Sequence, residues 1–141
     1  THPELFSVAT LTCHAGRAVG PYNIALGNGP AQAAHTPESL MTHGDLLGDP
    51  FEVSRLRRED YDFIRPRSKA GAARGHQFRA AFLVRAAGLE GHGSDGKAPL
   101  PFTHIDIGGS GCEGGDWQHG RPSGRPVVAM LAALGGAVPP L

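Results

Sequence analysis

The sequence predicts an α/β fold with a mostly parallel sheet. Short, apolar, β-branched segments alternate along the chain with stretches of helical spacing. Gly is 21 and Pro 12 of 141 residues, so tight turns are frequent and long elements few. Apolar residues make up 40% and charged residues 18%, which suffices for a core and excludes a disordered chain.

The elements follow in order. Residues 5–11, Leu-Phe-Ser-Val-Ala-Thr-Leu, read as a buried strand ending in a turn of small residues, 12–16. Residues 22–26 are a second strand, closed by Gly27-Asn28-Gly29, with Pro30 suited to open a helix. Thr36-Pro37-Glu38-Ser39 is a stronger start, with Thr36 as N-cap and Pro37 as first helical residue. Its apolar face runs through Leu40 and Met41 to Leu47, and Gly48-Asp49-Pro50 stops it. The charged block 55–62 reads as a solvated or interdomain surface, and 65–75 as a basic loop. A helix over 76–87 ends near Gly88, and 91–97 is a surface loop. Residues 102–107 alternate as a strand, followed by glycines 108, 109, 111, 114 and 115. An apolar helix over 126–134 closes the pattern at Gly135-Gly136.

Thirteen basic and thirteen acidic residues give a formal net charge of zero, which argues against a nucleic-acid partner. Apolar runs fall short of the ~20 residues a membrane span needs, and no signal segment opens the chain. The chain starts Thr1-His2-Pro3, without a Met, as expected of a processed or excised polypeptide. Two cysteines, Cys13 and Cys112, are too few for a disulfide scaffold and fit reduced thiols in a cytoplasmic compartment.

Ligands in parallel α/β sheets sit at strand carboxyl ends. Two strands here end in small polar loops, Thr10-Leu11-Thr12-Cys13 and Gly108-Gly109-Ser110-Gly111-Cys112. Such loops expose backbone groups to a ligand, or merely turn the chain. The glycine run matches neither the dinucleotide fingerprint nor a Walker loop. His104 and Asp106, two apart, share a strand face; they suit a metal or acid–base pair, or a buried pair fixing the neighbouring loops. The other histidines lack zinc-type spacing and read as scattered polar residues. Asp106, Glu113 and Asp116 are too loosely spaced for a two-metal hydrolase. Cys13 and Cys112 both fall just past a strand terminus, as sharing one rim would require, and a reactive thiol there would need a cation or His beside it.

Four segments resemble, in order, landmarks of the leucyl aminopeptidase (cytosol aminopeptidase) family: Val8-Ala9-Thr10-Leu11-Thr12, Ala80-Ala81-Phe82-Leu83, Thr103-His104-Ile105-Asp106-Ile107-Gly108-Gly109 and Gly124-Arg125-Pro126-Val127. Residues 52–63 and 74–78 resemble a divergent animal and protist branch. The resemblance covers nearly the whole chain and matches the C-terminal part of the family's catalytic domain. It implies part of a three-layer α/β/α domain with a mixed, mostly parallel sheet.

The resemblance also implies a hydrolase that removes N-terminal amino acids from peptides with two divalent metal ions, zinc or manganese. The family's Lys, Asp and Glu ligands lie in segments this chain lacks, so no catalytic residue and no metal ligand is carried over. What the resemblance carries over is the substrate-side wall, formed by Thr10, Leu11, Thr12 and Cys13, with Gly108 and Gly111 lining the pocket for the first side chain. Cys13 stands where the family commonly has Gly, Gly108 where it has Ala, and Gly111 where it has a bulkier residue. These departures imply a wider pocket or an idle loop. The segment between Phe63 and Arg74 is shorter than in relatives. Implied partners are peptide substrate, the remainder of the aminopeptidase polypeptide and a homo-hexamer. The alternative is an inactive relative serving as a structural or assembly subunit.

Overall fold

The computed structural model describes residues 3–62, 73–113 and 120–136. A four-stranded sheet forms from β1 (Leu5–Ala9), β2 (Asn23–Gly27), β3 (Phe51–Arg55) and β4 (Phe102–Asp106), ordered β1-β4-β2-β3. β1 and β4 are parallel, β2 and β3 are parallel, and β2 meets β4 antiparallel. The sheet is therefore mixed and mostly parallel. The carboxyl ends of β1 and β4 lie at one end of it, and those of β2 and β3 at the other.

Helices α1 (Cys13–Val19), α2 (Gly29–Ala33), α3 (Thr36–Leu47), α4 (Arg58–Asp62), α5 (Gly75–Ala86) and α6 (Val127–Gly135) complete the chain, with a two-stranded ribbon of β5 (Cys112–Glu113) and β6 (Arg121–Pro122). On one face, Ala25 and Ile105 pack with Leu40 of α3 and Ala129 of α6. On the other, Ile24 and Leu26 pack with Ala15 of α1 and Ala80 of α5. Alternate residues of β2 thus serve opposite layers, as strand geometry requires. The result is helix, sheet, helix, the layering expected of an α/β unit.

Several expectations change. The first strand is at the sheet edge and not buried: Leu5 is 39% and Val8 44% exposed. Residues 13–19 form a helix, not a turn; the small residues here permit close packing instead of breaking the chain. Thr36 is not an N-cap but the first residue of α3: His35, at φ 57°, occupies the cap, and the Thr36 hydroxyl bonds Glu4. Residues 102–106 do not alternate, because β4 is central and all five are buried. The block 55–62 is not wholly solvated: Asp60 is fully buried and accepts two 2.7 Å bonds from the Arg74 guanidinium. The shortened segment between Phe63 and Arg74 lies outside the described residues.

Candidate functional site

The six rim residues named from sequence come together at the carboxyl ends of β1 and β4, where a buried carboxylate sews two loops. Asp106, the last residue of β4, is fully buried. Its Oδ1 accepts from the Leu11 N–H at 3.3 Å and the Gly108 N–H at 2.9 Å, and its Oδ2 from the Thr12 hydroxyl at 3.3 Å. Burial raises its pKa, and these bonds to the charged form work against that rise. Of the two readings of the His104–Asp106 pair, the loop-fixing one describes Asp106.

Glycine lets the loops touch. A Cβ on Gly108 would drive into the Thr12 carbonyl, and one on Gly109 into the Gly20 carbonyl and the Gly16 backbone. Gly108 thus lets the two loops pack closely at the rim. Gly111 has more room: a Cβ there would sit 3.1 Å from the Ile107 carbonyl and 3.6 Å from the Thr10 hydroxyl oxygen. Thr10 and Cys13 are exposed on this rim, while Leu11, Thr12, Gly108 and Gly111 are half-buried. Cys112 is half-buried, and neither cysteine is in a disulfide.

Sequence reasoning missed the support beneath the second loop. Ser110 donates to Asn23 Oδ1 at 2.5 Å, and Asn23 donates to Asp49 Oδ1 at 2.9 Å. The Ser123 hydroxyl donates to the Ser110 carbonyl at 2.6 Å. Asn23, Asp49 and Ser110 are all buried. The sequence signal was a polar residue opening an otherwise apolar strand, which needs a partner when buried.

His104 sits apart from this work. Its Nδ1 lies 2.8 Å from the Ser7 hydroxyl, and its buried Nε2 has no partner among the described residues. Burial lowers its pKa to about 4, so at neutral pH it is an uncharged core residue. Nor are all the other histidines scattered. His14 packs its ring against Gly75 at the start of α5, and His76, one residue on, bonds Ser54 at 3.2 Å.

The residues present do not fit a metal centre. Among the described residues no group of three or more His, Cys, Asp or Glu could hold an ion. The buried carboxylates are already committed: Asp106 to the rim loops, Asp60 to Arg74, and Asp49 to Asn23 and the Ala129 N–H. Asp116 lies outside the described residues. No described helix is long and apolar enough to cross a membrane.

Comparison with known proteins gives this rim its context. No family model matches the chain. A Caenorhabditis elegans protein named "Putative aminopeptidase" is 37% identical over 145 residues, spanning 94% of this chain and 27% of that protein. The chain is homologous to that protein over most of its own length. Its fold agrees: a mutant tomato leucine aminopeptidase superposes with TM-score 0.66 at 14% identity, over 93% of this chain and 24% of that one. The bottromycin maturation enzyme BotP, solved in complex with Mn, superposes with TM-score 0.63 at 18% identity, over 93% and 28% of the two chains. The chain thus spans about a quarter of the length of each of these proteins.

Proposed function

We propose that this chain is the C-terminal, substrate-side portion of a metal-dependent aminopeptidase that removes N-terminal amino acids from peptides. The 37% identity to a protein named as an aminopeptidase carries the reading. In it, residues 10–13 and 108–111 form one wall of the cleft: Thr10, Leu11, Thr12 and Cys13 face the amino end of the substrate, and Gly108 and Gly111 border its first side chain. The Asp106 bonds keep that wall rigid, so little ordering is left for the moment of binding. The two divalent ions, zinc or manganese, are held by the rest of the polypeptide. A cytoplasmic hexamer is part of the same proposal.

The test is turnover of leucine p-nitroanilide with added zinc or manganese. The full-length protein is expected to hydrolyse it and the isolated 141 residues are not. Robust turnover by the isolated chain would refute the claim that the ion-holding set lies elsewhere. A full-length protein that is inactive with either metal would favour the structural-subunit alternative. In the full-length enzyme, Leu11→Trp should lower kcat/KM about tenfold for substrates with a bulky first residue, a loss of about 1.4 kcal/mol, and spare those with Ala or Gly.

A further inference from the structure

One concavity lies away from the rim. A cavity of about 570 Å3 opens at the opposite end of the sheet, where β2 and β3 finish. β4 connects the two places. It begins beside the cavity, where the Phe102 N–H donates to Asn28 Oδ1 at 3.0 Å, and ends at Asp106 under the rim. At ~3.3 Å per residue, the four steps from Phe102 to Asp106 hold the two roughly 13 Å apart.

The lining of this cavity has three chemistries. Leu56, Val84 and Leu89 provide an apolar floor. Arg57 and Arg58 stand on its margin, exposed, and their guanidiniums have no partner among the described residues. Asp62 and Asp95 stand there too, exposed, and Asp62 is near enough to Arg85 to help raise its pKa. Glu90 differs, because both its oxygens are held by Arg85, at 3.0 and 2.8 Å. The volume suits a small molecule. Two exposed cations and two exposed anions around an apolar floor match a molecule carrying both charges and an apolar body.

We propose that this cavity is a second ligand site, for a zwitterion with an apolar side chain, in the class of the free α-amino acids. The carboxylate turns to Arg57 and Arg58, the ammonium to Asp62 and Asp95, and the side chain to the floor. This site is separate from the rim and does not depend on the aminopeptidase reading.

Equilibrium dialysis of L-leucine against the full-length protein tests it. Two variants disable the cavity without touching the rim: Ser94→Trp, which fills it from an exposed lining position, and the double change Arg57→Glu with Arg58→Glu. Each should abolish one class of bound leucine. 3-Methylbutylamine and 4-methylpentanoate, each lacking one charge, should bind that class at least about fivefold more weakly. Leucine binding unaffected by both variants would overturn the site. Equal binding of either single-charge analogue would overturn the zwitterion assignment. Leucine p-nitroanilide turnover, followed in parallel, separates the two readings: a protein without turnover that still loses leucine binding in the variants supports this site and refutes the aminopeptidase.

Discussion

Asp106 does the most with one side chain. Three donors from two loops converge on it. Asp106→Ala should destabilise the fold by about 2–4 kcal/mol, since buried donors left unpaired cost more than the bond itself is worth. Asp106→Asn keeps one acceptor oxygen and should cost about half as much; urea midpoints compare the two. Gly108→Ala should be comparably damaging, because its Cβ meets backbone, the Thr12 carbonyl, which cannot rotate away. If Gly108→Ala were neutral, the contact between the loops would not be as described.

His104 makes a pH prediction with a definite sign. Its folded pKa is pushed to about 4 from an ordinary value of 6.5. Between those values the unfolded chain takes up the proton and the folded one does not, so stability falls as pH falls through this window, by up to about 3 kcal/mol. His76 is also lowered, by burial first and then by the Arg74 and His14 charges, and adds to the same slope. Asp106 acts in the opposite sense. Its raised pKa favours the folded state at low pH, and that contribution is lost as pH rises past its ordinary 3.8. Unfolding midpoints measured between about pH 7 and about pH 5 should drop, and His104→Leu should flatten most of the drop. An unchanged slope in that variant would assign the effect to His76 instead.

The elements show which signals in the sequence were decisive. Residues 5–9, 23–27 and 102–106 are apolar enough to announce strands, and the helices over 36–47, 75–86 and 127–135 carry Pro or Gly near their ends. β3 went unread because Phe51-Glu52-Val53-Ser54-Arg55 runs into the charged block, and its two charged residues look like part of that surface. Glu52 and Arg55 are indeed exposed; the strand exists because Phe51 is buried beside Leu40. α1 went unread because a helix of small residues has the composition of a turn. The rim loops were legible as ligand-facing ends, but the reason for their glycines was not: local sequence does not say that Gly108 faces Thr12.

Long-range capping lies beyond sequence reading altogether. α6 begins at Val127 with no side-chain bond at its N-cap, Pro126. Its first-turn Ala129 N–H is instead satisfied by Asp49 Oδ2 at 3.1 Å, from a loop 80 positions away. A carboxylate there also suits the helix dipole. Asp49→Ala should remove both this bond and the one to Asn23, and cost about 2–3 kcal/mol. Hydrogen exchange should quicken first in α6 and around Ser110, which hangs on Asn23. Protection lost evenly over all helices would argue that Asp49 supports the core in general and not these two places.

At the scale of the molecule, two apolar surfaces lie open among the described residues. β1 leaves one edge of the sheet unpaired among the described strands. Leu5 and Val8 are exposed along it, and α6 presents Val127 at 63%, Val128 at 51% and Leu131 at 72% exposure. Surfaces of this kind associate unless something covers them, since an open strand edge is a template for pairing and contiguous apolar area favours burial. The proteins this chain matches are three to four times longer. The isolated 141 residues should therefore self-associate with rising concentration, and Leu131→Lys with Val127→Lys should shift sedimentation toward monomer. In the full-length protein the same pair of changes should act in reverse. If the rest of the polypeptide seats on α6, burying two lysines would lower the thermal midpoint; an unaltered midpoint would mean that α6 faces solvent in the whole protein and that the cover lies along β1 alone.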